Sequence, residues 1–217
     1  MKNCSGRSGN FKGGMNMNTL DFSKPVTFRI AELMLEKQEF TQLELSKELK
    51  VSVGQVNKVT KALENAGAVA KKGKEFCIER PLLVMDKISF FRKMKHILAA
   101  KVKVGGEPRN LLNIVHERPV ACLETALNLY GENIVSKRAC YYVKSRAEAE
   151  KISAELKPFS GTGIEMQFYA IDVPFLPVEM FGTNATPFAR TLVDLACDNS
   201  VFVAHNAVNR KWGKRII

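Results

Sequence analysis

The stretch LSKELKVSVGQVNKVTKALENAGAV, Leu45 to Val69, decides how the amino-terminal part of this chain folds. Val56, Val59, Thr60 and Leu63 recur at the spacing of one helix face, which predicts a helix over Val53 to Ala66 that packs inward on that side. Gly54, Asn57, Lys58, Lys61 and Asn65 fall on the opposite face, with Gln55 at its amino-terminal edge and Glu64 as the one nearby acid. Ser52 stands three residues before Gln55, the capping-box relation in which each side chain satisfies an orphan amide at a helix start. Gly67 lies where a left-handed C-cap is wanted. Upstream, Thr41 and Glu44 repeat the capping-box spacing and open a helix from Gln42 to Leu49 that buries Leu45 and Leu49.

Two short capped helices with a few residues between them are the sequence outline of a helix-turn-helix. Thr27 to Gln38 supplies a preceding helix, with Phe28, Ile30, Ala31, Leu33, Met34 and Leu35 largely on one side. Following Gly67, Ala68 to Ala70 and Glu75 to Ile78 are expected to pair as strands around Lys71-Lys72-Gly73-Lys74, a basic hairpin tip. The exposed helix face carries the groups that read DNA: Asn and Gln pair bidentately with adenine edges, and Lys reaches guanine or phosphate. The run resembles winged helix-turn-helix transcription factors over about a quarter of the chain. That resemblance implies that the second helix of the motif enters the major groove and the hairpin wing lies along the backbone. It also implies recognition by Gln55, Asn57, Lys58 and Lys61, with Ser52 at the helix start, and phosphate contacts from Lys71, Lys72 and Lys74. Protein docking and RNA binding are the competing uses of such a module.

Beyond Pro81, Leu82 to Leu98 has helical spacing with a basic polar face of Lys87, Arg92, Lys93 and Lys95, and reads as a connector. Lys101 to Val104 alternates as a short strand, and Leu111 to Val115 reads as a strand or buried turn. A helix is expected over Pro119 to Leu129, a strand over Ala139 to Val143 and a polar helix over Arg146 to Leu156. Ile164 to Ile171 alternates as a strand, and Thr186-Pro187 opens a helix carrying Phe188, Leu192, Val193 and Leu195. Val201 to Val203 reads as a last strand or the start of a terminal helix. The whole is expected to be α+β, an N-terminal winged helix-turn-helix followed by a mixed α/β C-terminal domain. The expected divisions are residues 1–18 as a flexible leader, 19–80 as the DNA-binding module, 81–100 as the connector and 101–217 as the mixed domain.

Two stretches of the later region, PVACLETALNLYG (Pro119 to Gly131) and TPFARTLVDLA (Thr186 to Ala196), resemble helices of abortive-infection AbiE-type antitoxins. The order of modules matches, with the winged helix first and the RTLVDL helix last. The resemblance implies a transcriptional repressor that also neutralises a cognate toxin protein. Within that motif Arg190 and Asp194 sit four apart on a helix, where they pair with each other or Arg190 faces a partner.

Composition agrees with a polyanionic partner. The 217 residues carry 33 basic and 22 acidic side chains, a net charge of +11. The charge is uneven: residues 1–146 carry a net of +12, residues 147–199 a net of −5 and residues 200–217 a net of +4. No apolar run approaches the ~20 residues needed to span a bilayer, so no membrane partner is expected. The five cysteines are scattered with no Cys-x-x-Cys, and the three histidines are equally dispersed, which argues against a zinc site or a disulfide framework and for a reducing cytoplasm. No Asp-x-Asp pair follows Gly105-Gly106, and no phosphate-binding glycine-lysine loop occurs. No enzymatic activity, metal or cofactor is expected. The expected partners are double-stranded DNA, a cognate toxin and a second copy of the chain as a homodimer.

Overall fold

The computed structural model describes residues 20–213; the expected leader lies outside them, as do Lys214 and Arg215 of the basic tail. α1 (Pro25–Lys37) starts with a proline, where a missing N–H costs nothing, and buries Phe28, Ile30, Ala31, Met34 and Leu35. After β1 (Glu39–Phe40), the Thr41 hydroxyl accepts from the Glu44 amide at 3.1 Å and opens α2 (Gln42–Leu49). Lys50, left-handed at φ 54°, turns the chain into α3 (Val53–Asn65), which Ser52 and Gln55 cap reciprocally. Gly67 at φ 72° ends α3 in a Schellman turn: the Ala68 amide donates to the Leu63 carbonyl at 2.9 Å and the Gly67 amide to that of Glu64 at 2.8 Å. β2 (Val69–Lys72) and β3 (Glu75–Ile78) then form an antiparallel hairpin around Gly73-Lys74, and β1 pairs with the free side of β3.

The second part begins with α4 (Pro81–Phe91), α5 (Met94–Ile97), β4 (Leu98–Val104) and α6 (Pro108–Leu112). It continues with β5 (Val120–Ala121), α7 (Leu123–Leu129), β6 (Arg138–Val143), α8 (Arg146–Leu156) and β7 (Ile164–Ala170). The hairpin β8 (Val178–Met180) and β9 (Thr183–Ala185) and the helices α9 (Phe188–Cys197) and α10 (Val201–Trp212) complete it. A six-stranded mixed sheet runs in the order β4-β7-β6-β5-β9-β8, with β6 parallel to β7 across the α8 crossover. The described residues are therefore α+β, with two sheets.

Five elements differ from the periodicity reading. The hairpin tip expected over Lys71 to Lys74 is Gly73-Lys74 alone, because Lys71 and Lys72 pair with Phe76 and Glu75 in the strand ladder. The helix expected to reach Leu98 stops at Phe91, because Arg92 becomes extended (φ −118°, ψ 132°) as its side chain enters a buried charge cluster. Leu111 to Val115 is neither strand nor simple turn. Leu111 lies in α6, and both Leu111 and Val115 face the second apolar core. The helix expected from Pro119 begins only at Leu123, because Val120 and Ala121 pair with Tyr142 and Tyr141. The Thr186 hydroxyl bonds that of Thr191 at 2.7 Å, leaving Pro187 at the cap of α9.

Alternation sorts the sheet faces. Tyr141, Val143, Met166 and Phe168 pack with Ile152 and Leu156 of α8, while Cys140, Tyr142 and Tyr169 turn to the other face and meet α9. The cluster on the α9 face is continuous with the amino-terminal helices: Phe28, Ala31 and Leu35 of α1 belong to it together with Val84 and Ile88 of α4 and Leu192 of α9.

Where these elements converge the core holds charges. Arg190 of α9 is fully buried, and its Nε donates to both oxygens of Asp194 one turn on, at 3.1 Å. Arg92 donates to Asp194 at 2.7 Å, to Asp172 at 2.6 Å and to the Tyr142 hydroxyl at 2.8 Å, and Tyr142 in turn donates to Asp194 at 2.9 Å. The Arg190 guanidinium lies 4.6 Å from the Phe28 ring centre and 5.2 Å from that of Phe175. Two cations balance Asp172 and Asp194, and Glu32 of α1 is a further acid, 3.8 Å from Arg190 and 14% exposed. Burial raises the Glu32 carboxyl to about 7; Arg190 opposes the shift and Asp194 adds to it. Burial also works against Asp172, but the Arg92 hydrogen bond and charge outweigh it and hold Asp172 below the ordinary carboxylate value.

Two outcomes follow from this cluster. Because the folded pKa of Glu32 lies above its unfolded value, the stability it contributes is complete below about pH 4.5 and is lost as pH rises through about 7. Glu32→Gln, neutral throughout, should match the parent near pH 4.5 and exceed it by roughly 1–3 kcal/mol at pH 8 in urea unfolding. Asp194→Ala strands two guanidiniums and should cost on the order of 3–5 kcal/mol, read as a fall in Tm.

Candidate nucleic-acid interface

α2, α3 and the β2–β3 hairpin enclose a shallow groove of about 520 Å³. Its floor and walls include Gln42 from α2, Asn57 and Lys61 from α3, and Lys71 and Lys74 from the hairpin. The buried face of α3, Val56, Val59, Thr60 and Leu63, fixes which side chains remain for the groove. At about 100° per residue, Asn57 and Lys61 lie ~40° apart, Lys58 lies ~60° beyond Lys61, and Gln55 lies ~120° beyond it. The groove therefore gathers Asn57 and Lys61, while Lys58 and Gln55 sit further round the helix.

Ser52 and Gln55 are occupied locally. The Ser52 hydroxyl accepts from the Gln55 amide at 3.2 Å, and Gln55 Oε1 accepts from the Ser52 backbone at 3.1 Å and from its hydroxyl at 3.2 Å. Asn57 Oδ1 accepts from Gln42 Nε2 at 3.2 Å, a half-buried bond that ties α3 to the start of α2. On the hairpin, strand alternation separates neighbouring lysines. Lys71 extends over the Phe76 ring at 6.0 Å on the groove side, whereas Lys72 points away and pairs with Glu79 at 3.1 Å. Gly73, at φ 64°, takes the first position of the two-residue turn, where a primed hairpin turn requires positive φ, and so carries Lys74 to the tip. Among the described residues, Lys58, Lys61, Lys71 and Lys74 have no ion-pair partner. With three lysines against one acid, Glu64, the groove is net cationic, suited to phosphate and to acceptor-bearing base edges.

Sequence reasoning missed Gln42, read there only as the start of a helix, and the apolar rim made by Leu43 (55% exposed) and Val53 (42% exposed). Two large apolar side chains on otherwise polar helix starts were the available signal. Arg190 is placed by the fold rather than at this surface. With no exposed area it takes the intrahelical pair with Asp194, one of its two expected arrangements, and presents nothing to a partner.

A larger cleft of about 710 Å³ lies among α6, α7 and the β8–β9 hairpin. Among its charged lining residues, Arg138 pairs with Glu124 and Asp198, and Arg109 donates to the Phe181 carbonyl at 2.6 Å. Among the described residues no group of three or more His, Cys, Asp or Glu is placed to hold a metal, and no helix is long and apolar enough to cross a membrane. Cys77, Cys122, Cys140 and Cys197 are free, and burial pushes their thiols up and keeps them protonated.

Because Ser52 and Gln55 hold the start of α3 through the capping box, Ser52→Ala should lower stability by about 1 kcal/mol in chemical unfolding. Lys58→Ala, on a solvated face, should stay within about 0.5 kcal/mol of the parent. Comparison with protein-family models, with characterised proteins and with solved structures finds no match for this chain.

Proposed function

We propose that this chain is a DNA-binding transcription regulator of the winged helix-turn-helix type, with α3 in the major groove and the β2–β3 hairpin as the wing. The observation that carries the reading is the single groove in which Asn57 and Lys61 of α3 face Lys71 and Lys74 of the hairpin. Helix and wing then address base edges and backbone from one continuous surface, as phosphate contacts position and base contacts specify. The net charge of +12 over residues 1–146 supports it by supplying long-range attraction to a polyanion. Binding as a homodimer on paired half-sites, in the cytoplasm, completes the reading.

The antitoxin role is the extension of this proposal. The LYG and RTLVDL helices, α7 and α9, pack against each other in the described fold; Asp172, Asp194 and Asp198 of the acidic stretch are paired internally, which leaves chiefly the glutamates of α8 as the acids for a basic toxin. Co-expression with the product of the adjacent gene tests it directly. Rescue of growth from that product supports the antitoxin role, and unchanged toxicity, or a harmless neighbour, removes it while leaving DNA binding intact.

Salt titration of duplex binding by the full chain tests the DNA reading. The logarithm of affinity should fall linearly with the logarithm of salt, with a slope near −0.9 for each phosphate neutralised. Lys74→Ala should reduce that slope by about one and weaken all sequences alike. Lys61→Ala should cost about 1–3 kcal/mol on the preferred site. Lys72→Ala, whose amine is already paired with Glu79, should matter less than Lys74→Ala. Affinity that is insensitive to salt would instead favour a protein-docking module, using the apolar rim of Leu43 and Val53.

A further inference from the structure

We infer that the first turn of α3 reads the 5-methyl group of a thymine, with Val53 making the contact and Gly54 letting the duplex come close. The inference rests on the DNA reading above. Val53 opens α3, lines the groove and is 42% exposed. At about 100° per residue it lies ~40° from Asn57 and ~80° from Lys61, so it begins the same groove-facing stripe. Glu64 ends that stripe, about 16 Å further along the helix axis at ~1.5 Å per residue. Leu43 of α2, 55% exposed, is the other uncovered apolar side chain of the groove, since Phe76 is buried. The capping box uses Ser52 and Gln55, and the inward stripe of α3 begins at Val56, so neither needs the Val53 side chain.

Gly54 is an independent observation. It is helical, where glycine is less favourable than alanine, yet a methyl group at this position would have only the Ser52 hydroxyl, 3.9 Å away, within contact distance. The fold therefore does not require a glycine here. Gly54 points ~20° from Lys61 on the exposed face, and a missing side chain there lets the helix backbone approach a ligand closely. The amino-terminal residues of a recognition helix are the ones that meet base edges.

Among the four bases only thymine presents an apolar group, its C5 methyl, on the major-groove edge. Valine against that methyl removes apolar surface of both from water. Against cytosine the same side chain finds no methyl and crowds the N4–H₂ donor while offering it no acceptor, which leaves that group unpaired. Two uncovered apolar side chains are too few for a protein interface, which takes roughly 800 Å² from each partner, whereas a methyl group needs only one.

The test is selection from a library of randomised duplexes at low salt by the full chain and its Val53→Ala and Gly54→Ala variants, with thermal melts confirming that each is folded. The position contacted by Val53 is the one whose thymine preference Val53→Ala relaxes. Replacing that thymine by deoxyuridine removes the methyl and leaves the base pair intact. It should weaken the parent roughly fourfold, the worth of one buried methyl group, and Val53→Ala much less. With 5-methylcytosine there the parent should bind more tightly than with cytosine. Gly54→Ala should lose affinity for the selected duplex while its Tm stays at or above that of the parent. Equal affinity of the parent for thymine and deoxyuridine throughout its site, or a thymine preference that Val53→Ala leaves unchanged, would overturn the inference while keeping DNA binding. Undiminished affinity of Gly54→Ala would overturn the close approach. Binding of no duplex at all would remove the DNA reading itself, and this inference with it.

Discussion

The contact on which most of the structure depends is the ion pair between Arg190 and Asp194, both without exposed surface, and its extension through Arg92, Asp172 and Tyr142. Buried charges are tolerated only when paired and hydrogen-bonded, and these five groups come from α9, the end of α4, the chain after β7, and β6. Each must arrive at a defined place for any of them to be satisfied. Such a cluster specifies one arrangement of elements more than it adds net stability, because well-packed apolar residues could fill the same space without the desolvation cost. Its most visible effect on the backbone is the end of α4, where the chain gives up helical bonds so that Arg92 can reach Asp194.

The cluster also joins the two ends of the molecule. Phe28 and Glu32 of α1 complete the surroundings of Arg190, so the helix that supports α2 and α3 is packed on the same charged core as the six-stranded sheet. The proposed DNA-reading helix is one packing layer away from this core, through Ile30, Met34 and Val56 in the same apolar cluster. Burial favours the neutral form of Glu32 at the α1–α9 contact.

The sequence made the amino-terminal elements legible because their signals are local. The Thr41–Glu44 and Ser52–Gln55 caps, the left-handed Gly67 and the inward stripe Val56, Val59, Thr60 and Leu63 each act within a turn or two of chain, and all occur where they were read. The strands β6 and β7 were equally plain, ACYYV as a continuous apolar run buried on both faces and IEMQFYA by its alternation. The candidate site was only half legible. Helical phase separated Lys61 from the core, but nothing in the spacing said that Lys71 faces the groove while Lys72 turns to Glu79, or that Asn57 is held by Gln42 from fifteen residues upstream.

Sequence alone thus determined the register and caps of α2 and α3, the presence of the hairpin after them and the uneven charge, all properties set by neighbours along the chain. Tertiary structure decided which polar groups are already spent. Whether an amide or guanidinium is free for a partner depends on groups distant in sequence. Arg92 meets Asp194 from 102 residues away and Asp172 from 80. Hydrogen-bonding capacity is finite, so what a surface can recognise is what remains after the fold has taken its share.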